Sequence, residues 1–477
     1  MGETNAVVIG SGPNGLSAAI TLARAGWAVD VWERDAGAGG GCRTAELTLP
    51  GFRHDTCSAV HPLVLASPFF RSVDLEGRGL RMLSPKVPFA HPLDGGRAAA
   101  ISGSVAETAA TLGADGPRFR RFFTPLSKHL DQVLPTVLAP LRTPPPHPLT
   151  MARFGLPGLL PAAALARGLK TQEGRALLAG AAAHSMLRLS TPLTASYSLL
   201  FIAMAHAWGW PLAQGGSDAI TAALVGELEH LGGSVRLRHE VASLADLPPS
   251  AAVLADVSPR QLCAIAGEKL PPSSRRALER FRYGPGICKV DWALNGPVPW
   301  EAPACREAGT IHLGGTFEEV AASEAEVAAG RHPEKPFCIV VQPGVVDPTR
   351  APAGKYTLWA YCHVPSGSSV DMGPRIEAQV ERFASGFKNL VLARSVRTAV
   401  QEEAANPNYV GGDIGGGMAT LRQTVFRPTL RWDNYRTSVR GLYLCSASTP
   451  PGGGVHGMCG FWAAQRAIAD LASGRLK

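Results

Sequence analysis

The segment that most limits the fold of this chain is AVVIGSGPNGLSAAITLARAGWAVDVWERD, residues 6–35. Its pattern predicts a buried strand over 6–9, a glycine turn, a helix over 16–25 and a second strand over 28–32. The glycines at positions 10, 12 and 15 have the spacing G-x-G-x-x-G. A strand, turn, helix and strand with this spacing predict a parallel βαβ unit that binds a dinucleotide.

Each glycine of the motif has a separate physical role. Gly10 permits the tight turn, Gly12 lets the backbone approach a pyrophosphate, and Gly15 lets the helix pack on the strand. The N-terminus of the helix offers unpaired N–H groups to the phosphates. Glu33, at the end of the second strand, would accept hydrogen bonds from a ribose 2′-hydroxyl. FAD and NAD share this fingerprint, so the motif alone does not choose between them.

A second glycine cluster follows in DAGAGGGCRT, residues 35–44. It resembles the GG-x-x-R/S/T element of flavoproteins related to amine oxidases and phytoene desaturases. In many relatives an arginine directly follows the glycine pair, whereas Gly41 stands there in this chain and Arg43 comes two positions later. The resemblance implies that the cofactor is FAD and that Arg43 is a phosphate ligand; the alternative is a plain glycine loop.

Two later segments carry the same resemblance. LAQGGSDAITAALVGELEHLGGSVRLRHEV, residues 212–241, is similar to the central segment of that family, in which the main chain at Val241 would hold the adenine. GLYLCSASTPPGGGVHGMCGFWAAQRAI, residues 441–468, resembles the C-terminal flavin motif. The chain is identified as phytoene-desaturase-like, a broad group that includes carotenoid desaturases, carotenoid isomerases and retinol saturases.

The glycine run Gly452–Gly454 is explained by the same resemblance. Its bare backbone would pass under the isoalloxazine ring, where a Cβ would collide, and a helix from about residue 456 would direct its N-terminus at the flavin. The alternative is a helix docked for packing only. The residues expected to contact FAD are Gly10, Gly12, Pro13, Asn14, Gly15, Glu33, Arg34, Gly40, Gly41, Arg43, Thr44, Val241, Ala447, Gly454, Val455, His456, Gly457 and Met458.

Catalytic candidates follow from the motifs beside the expected flavin. RFRYGPGICKVDWALNGPVPW, residues 280–300, resembles the strand that carries a lysine bridged by water to flavin N5 in amine oxidases, which implies that role for Lys289. A salt bridge from Lys289 to Asp291 is the alternative. His61 and His456 are candidates for proton transfer because histidine titrates near neutral pH. The residues expected in the substrate pocket are His184, Phe201, Trp208 and Tyr361.

Residues 189–217 contain no Asp, Glu, Lys or Arg. Prolines and hydroxyl side chains interrupt this stretch, so it predicts a buried helix that lines an apolar cavity rather than a membrane span. The net charge of +8 is spread along the chain without a basic run, which argues against a nucleic-acid site. The nine cysteines form no CxxC pair, so we expect no metal site and a reducing, cytoplasmic location. Peripheral membrane contact stays open.

These observations predict an α/β protein with a Rossmann-like FAD-binding domain, a parallel sheet with helices on both faces. Residues 1–95, 213–285 and 405–477 would form it, interleaved with an α+β substrate domain of residues 96–212 and 286–404. With only one complete fingerprint, we expect no separate NAD(P)H domain. Nothing in the sequence indicates an oligomeric state.

The expected activity is FAD-dependent desaturation of a C–C or C–N single bond in a largely apolar molecule, by hydride transfer to flavin N5. Oxygen or a quinone would be the electron acceptor. Two alternatives remain open: a flavin-dependent isomerase or saturase of a polyene or isoprenoid, and a non-enzymatic flavin-binding interaction protein.

Overall fold

The computed structural model describes residues 4–141 and 143–476. Its strands are β1 (Asn5–Ile9), β2 (Ala28–Trp32), β3 (Thr44–Ala45), β4 (His54–Asp55), β5 (Met82–Leu83), β6 (Val87–Leu93), β7 (Arg97–Ala100), β8 (Leu212–Ala213), β9 (Ser234–Arg236), β10 (Ala252–Ala255), β11 (Gly286–Leu294), β12 (Ala308–Leu313), β13 (Cys338–Val341), β14 (Tyr356–Val364), β15 (Val391–Arg397) and β16 (Leu442–Leu444).

Its helices are α1 (Pro13–Arg24), α2 (Pro62–Ala66), α3 (Pro68–Arg71), α4 (Val105–Thr111), α5 (Gly116–Lys128), α6 (Leu130–Val137), α7 (Pro148–Gly158), α8 (Ala162–Ala166), α9 (Gln172–Ala183), α10 (Thr194–Trp208), α11 (Asp218–His230), α12 (Pro259–Ala266), α13 (Pro272–Glu279), α14 (Pro303–Arg306), α15 (Phe317–Ala328), α16 (Gly373–Phe383), α17 (Ala399–Ala405), α18 (Leu421–Phe426) and α19 (Met458–Ala472).

A parallel sheet of five strands organises the first part of the molecule, in the order β16-β10-β1-β2-β9. Val8 of β1 lies opposite Val31 on one side and Leu254 on the other. Short, almost wholly apolar strands such as NAVVI are typical of a parallel sheet buried on both faces. The fold is therefore the mixed α/β, Rossmann-like fold that the first glycine motif predicts.

Helices cover both faces of this sheet. On one face α1, α11 and α19 share a core with β1, in which Leu16, Leu224 and Ala463 are buried. On the other face Leu262 of α12 and Leu278 of α13 pack against Ile9. Helices α1 and α19 touch closely, since a Cβ on Gly460 would overlap the main chain of Asn14. The α1 N-terminus is thereby fixed against the C-terminal helix.

The second sheet has seven strands in the order β15-β11-β14-β13-β12-β6-β7. Neighbouring strands are antiparallel except for β12 and β6, which are parallel. Strand β6 lies within residues 1–95, so the N-terminal stretch assigned to the FAD-binding domain also supplies a strand to this second sheet. Parallel pairing with β12 holds it there.

The charge-free stretch forms helix α10 and the short strand β8. Leu199, Ile202, Ala203 and Met204 on α10 are buried in the same core as α1. In the described part of the chain, no helix combines the length and the apolar character needed to cross a membrane. Helix α10 is thus an interior element.

Candidate functional site

A cavity of about 570 Å³ begins at the carboxyl edge of the parallel sheet and reaches the face of the second sheet. We divide its lining into three parts. The cradle consists of Gly10, Gly12, Glu33, Arg43 and Asp256; the glycine segment consists of Gly415–Gly417, Gly453 and Gly454; the aromatic chamber consists of His184, Phe201, Trp210, Trp359 and Tyr361. Residues from both sheets and from α10 therefore line one continuous space.

The cradle is shaped by the turn between β1 and α1. Gly10 has φ +95°, a conformation that favours glycine, and Gly12 is the residue that precedes helix α1. A Cβ on Gly15 would overlap the carbonyl oxygen of Gly10, so the first turn of α1 rests directly on the strand exit. The bare turn leaves the start of α1 facing the cavity, as an anion-binding helix N-terminus does.

Glu33 is held in place by neighbours on the same edge. Its Oε2 accepts hydrogen bonds from the Ser11 N–H at 2.9 Å and the Ser11 hydroxyl at 2.6 Å. Its Oε1 accepts from the Asp35 N–H at 3.0 Å. Glu33 also lines the cavity, so its carboxylate stands where a ribose can reach it.

Arg43 lines the cavity but is already paired. Its Nη2 lies 2.6 Å from Asp35 Oδ2 and 4.0 Å from Glu33 Oε1. Burial opposes ionisation of Asp35, but the hydrogen bonds and charges of Arg43 and Arg34 together outweigh it, so the pKa of Asp35 is lowered. The positive charge of the second glycine element is therefore shared with an acid beside it, which reduces the charge it offers to a phosphate.

The other residues expected at the cofactor divide into two groups. Those that line the cavity are Pro13, Asn14, Arg34, Gly40, Gly41, Val241, Ala447 and Val455. Gly15, Thr44, His456, Gly457 and Met458 are not part of the lining. The Thr44 hydroxyl donates to Asp55 Oδ1 at 2.9 Å, which ties β3 to β4 instead.

The glycine run at 452–454 is bare for reasons that lie within the protein. A Cβ on Gly453 would lie 2.5 Å from the Gly415 carbonyl oxygen, and one on Gly454 would lie 3.1 Å from Leu63 Cδ1. Gly453 and Gly454 also line the cavity. Helix α19 begins at Met458, after Gly457 with φ +67°, two residues later than the sequence predicts. The run thus allows two glycine-rich segments to touch where they face the cavity.

His456 is structural rather than poised for proton transfer. Its Nδ1 accepts a hydrogen bond from the Met458 N–H at 3.0 Å, so its Nε2 carries the proton and donates to the Gly452 carbonyl at 3.1 Å. Burial lowers the pKa of His456 to about 4. The side chain therefore closes the turn before α19 and has no ring nitrogen free for proton transfer, while the expected contact with the cofactor stays a prediction.

Lys289 is buried in β11 and forms a salt bridge with Asp291, the alternative considered from the sequence. Its Nζ also lies 5.4 Å from the centroid of the Trp359 ring. Trp359 lines the cavity but Lys289 does not. Lys289 and Asp291 share a face of β11 because side chains two residues apart on a strand point the same way. Lys289 therefore lies outside the cavity lining in this structure, and its expected role beside the flavin stays a prediction.

His61 and His184 do line the cavity. Both ring nitrogens of His61 are buried without a hydrogen-bond partner among the described residues, and burial lowers its pKa to about 4. The Nε2 of His184 lies 2.9 Å from the Nε2 of His312, and burial lowers the pKa of His184 to about 3. Both imidazoles are therefore neutral near pH 7, and His61 keeps a free nitrogen for a ligand.

The aromatic chamber contains three of the four residues expected at the substrate. The Phe201 ring lies 4.9 Å from His184 and 5.4 Å from Trp210, between ring centroids. Tyr361 stacks on Trp359 at 5.7 Å. Trp208 is half-buried against the main core and is not part of the lining.

Several lining residues were not singled out from the sequence: Trp210, Asp256, Trp359, Tyr409 and Arg427. Asp256 follows β10 directly, and a strand end at the carboxyl edge of a parallel sheet is a signal that could have identified it. Tyr409 and Arg427 lie in the segments NPNYVGGDIGGG, residues 406–417, and RPTLRW, residues 427–432. Trp359 reaches the cavity only through the register of β14 against β13.

Comparisons with known proteins agree with this geometry. A family model described as an NAD(P)-binding Rossmann-like domain matches residues 8–70. The chain is 26% identical to pyridine nucleotide-disulfide oxidoreductase domain-containing protein 2 of Rattus norvegicus, over 98% of this chain and 94% of that protein. It is 26% identical to a lycopene-forming phytoene desaturase of a Paracoccus species, over 61% of this chain and 62% of that protein.

Two solved structures share the fold. An oxidoreductase from Methanosarcina mazei is similar with a TM-score of 0.62 and 16% identity, over 97% of this chain and 100% of that one. Cyclohexylamine oxidase from Brevibacterium oxydans is similar with a TM-score of 0.58 and 15% identity, over 99% of this chain and 100% of that one. The likeness extends over both sheets, so it concerns the whole architecture and not the glycine motif alone.

Proposed function

Because this chain resembles the FAD-dependent oxidoreductases of the amine oxidase and carotenoid desaturase group, we propose that it is an FAD-dependent dehydrogenase. Its substrate would be a largely apolar small molecule, in which it desaturates a C–C or C–N single bond. The observation that carries the proposal is the single cavity that joins a dinucleotide cradle to an aromatic chamber.

The lining of the aromatic chamber supports an apolar substrate. The residues contributed there by positions 184–187, 197–210 and 339–361 include no Asp, Glu, Lys or Arg. Burial keeps the His184 imidazole in this part of the lining neutral. A charged substrate in this part of the cavity would lose its hydration without gaining a partner, which is costly.

The residues of the cradle are suited to hold the cofactor. The Gly10–Gly15 turn would receive the pyrophosphate, the Glu33 carboxylate would accept from the ribose, and the Val241 main chain would border the adenine. Arg43 would contribute charge that it now shares with Asp35. When bound, FAD would supply an acceptor for the hydride that leaves the substrate.

Dehydrogenation also releases a proton, and His61 is our candidate to receive it. Its imidazole is neutral, lines the cavity and has both ring nitrogens unpartnered among the described residues. His184 is a weaker candidate because one nitrogen is shared with His312. Oxygen or a quinone would then reoxidise the enzyme, as part of the same proposal.

The proposal is tested by anaerobic titration of the FAD-loaded protein with a retinoid, a carotenoid and a primary alkylamine, followed through the flavin absorbance. We expect an apolar polyene or isoprenoid to bleach the flavin and the charged amine not to. His61→Asn should retain FAD and slow the bleaching by about tenfold to a hundredfold, corresponding to roughly 1.4 to 2.7 kcal/mol in the barrier.

Two outcomes would contradict the proposal. Bleaching by the charged amine alone would contradict the apolar substrate class. Conversion of the substrate to a product with the same number of hydrogens, with no net electron transfer to an acceptor, would replace it with isomerisation.

A further inference from the structure

Asp256 occupies the place where the cofactor pyrophosphate would approach. It follows β10 at the centre of the carboxyl edge, between β16 and β1. Its Oδ2 accepts a hydrogen bond from the Gly15 N–H at 2.8 Å, which is one of the first N–H groups of α1. These are the N–H groups that a helix N-terminus offers to a phosphate. A side-chain carboxylate thus already occupies part of the anion site.

All three glycines of the first motif face this residue. A Cβ on Gly12 would lie 2.8 Å from Asp256 Oδ2, one on Gly15 would lie 3.2 Å from its Cβ, and one on Gly10 would lie 3.1 Å from its main-chain oxygen. The main chain of Asp256 is itself fixed, because its N–H donates to Ile9 at 2.8 Å and its carbonyl accepts from Asn408 at 3.2 Å. The carboxyl group cannot swing far from the turn.

The groups around Asp256 do not neutralise it. Glu33, at the end of β2, is a second carboxylate on the same edge and acts on Asp256 through charge repulsion. Cys445 after β16 and Cys459 on α19 are the other titratable neighbours, and burial raises the pKa of both thiols. Arg43 is paired with Asp35. A pyrophosphate would bring further negative charge to this edge.

We propose that Asp256 takes up a proton from solvent when the dinucleotide cofactor binds, so that cofactor affinity falls as the pH rises. Protonated Asp256 is neutral and can donate its O–H to a phosphate oxygen, while the Gly15 N–H becomes available to the same anion. The inference rests on the proposed FAD site. It makes Asp256 a determinant of cofactor affinity that the glycine motif alone does not reveal.

The protonation behaviour of the free protein agrees with this geometry. Burial is the main cause that raises the pKa of Asp256, to about 7, with repulsion from Glu33 adding to it and the Gly15 hydrogen bond opposing it. A nearby pyrophosphate would raise the pKa further. Above about pH 7 the free protein would carry the ionised form, and each bound cofactor would have to bring in one proton.

The test measures FAD binding to apoprotein by quenching of flavin fluorescence, at about pH 6.5 and about pH 8.5. For a single proton and a free pKa of about 7, we expect wild-type affinity to be roughly twentyfold weaker at the higher pH. Isothermal titration at the higher pH, in two buffers of different ionisation enthalpy, should report uptake of about one proton per FAD.

Asp256→Asn keeps the size of the side chain and an oxygen that can accept from Gly15, but it does not titrate. We expect this variant to bind FAD equally at both pH values, at least as tightly as wild type does at the lower one. Asp74→Asn, an exposed and distant carboxyl, is the matched control and should retain the wild-type pH dependence.

The outcomes separate the two claims. Equal wild-type affinity at both pH values, with no proton uptake, would overturn the role of Asp256 and leave the FAD site standing. If neither protein binds FAD at either pH, the proposed function itself fails. If Asp256→Asn does not fold, the buffer dependence of the wild-type titration decides the question alone.

Discussion

At the scale of single residues, Lys289 shows how a sequence resemblance and a structure can differ. Its position in β11 matches the motif that the resemblance indicates, yet its ammonium group is buried against Asp291 behind Trp359. The sequence is compatible both with a lysine beside the flavin and with a salt bridge to Asp291, and it does not distinguish between them. The choice depends on how β11, β14 and β15 stack, since Lys289 lies between Tyr361 and Arg397 in the sheet.

The first prediction follows from this pair. Lys289→Met leaves the Asp291 carboxylate buried without its cation, and breaking such a pair costs about 3–5 kcal/mol. We expect urea denaturation to show that loss in the free energy of unfolding. The double variant Lys289→Met, Asp291→Asn removes both charges and should regain at least half of it. A single variant as stable as wild type, with slow flavin reoxidation, would return Lys289 to a catalytic role.

Glycines give the second residue-scale prediction. Gly453→Ala would place a Cβ 2.5 Å from the Gly415 carbonyl oxygen. The nearest atoms all belong to the Gly415 main chain, which cannot shift as a flexible side chain could. We expect a loss of about 1–3 kcal/mol in unfolding free energy, as overpacking causes elsewhere, together with weaker FAD binding. Gly37→Ala is the matched control, because a Cβ there meets nothing within 4 Å. Equal effects of the two substitutions would contradict the close contact of the two glycine segments.

At the scale of elements, helix α10 connects the main core to the cavity. One side of it is buried with α1, and Tyr197, Phe201 and Met204 line the cavity from another side. The absence of Asp, Glu, Lys and Arg predicted an interior helix, and the structure has one. Which of its aromatic residues reach the cavity could not be predicted, because apolar side chains surround the whole helix and give no preferred face.

The prediction for this element concerns Phe201. Phe201→Asp places an unpaired charge between His184 and Trp210, which costs several kcal/mol in an apolar environment. We expect the variant to retain FAD but to lose binding of a fluorescent retinoid, measured by energy transfer. Leu156→Asp on α7 changes a leucine that is 69% exposed and should leave both unchanged. Normal retinoid binding by Phe201→Asp would contradict the claim that the aromatic chamber binds the substrate.

At the scale of the whole molecule, buried neutral histidines make the free energy of unfolding depend on pH. Burial lowers the pKa of His54, His61, His91, His206 and His456 to about 4, and that of His184 to about 3. In the unfolded chain these side chains titrate near pH 6.5. Between about pH 6.5 and 4 the unfolded state therefore binds more protons, so stability falls as the pH falls through this window.

We expect the urea midpoint to be almost constant above about pH 7 and to fall steeply below about pH 6.5. Each fully titrating histidine should lower the free energy of unfolding by up to ~1.4 kcal/mol per pH unit. His206→Leu should reduce the pH dependence of the free energy of unfolding by the contribution of one histidine. His147→Gln, at an exposed position, should not change it. A midpoint that is independent of pH between about 6.5 and 4.5 would contradict the burial of these imidazoles.

The sequence predicted most of the fold because its strongest signals are local. The strand, turn and helix over residues 6–35 need only their own periodicity and glycine spacing, and the matching elements β1, α1 and β2 are present. The site was less predictable, since Asp256 meets Gly15 across 241 positions and Trp359 reaches the cavity through strand register. The hydrogen bonds of His456 were also unpredictable, because only coordinates show that both of its ring nitrogens are engaged within the turn.

The central claim is that this chain uses FAD, bound without a covalent link in the cradle, for oxidation. The most direct measurement is the identity and amount of cofactor released when the purified protein is precipitated with acid, by absorbance and mass spectrometry. We expect one FAD per chain in the supernatant and an unmodified chain mass in the pellet. Release of NAD(P) instead of flavin, a flavin that stays attached to the chain, or a protein that neither carries FAD nor binds it when supplied would contradict it.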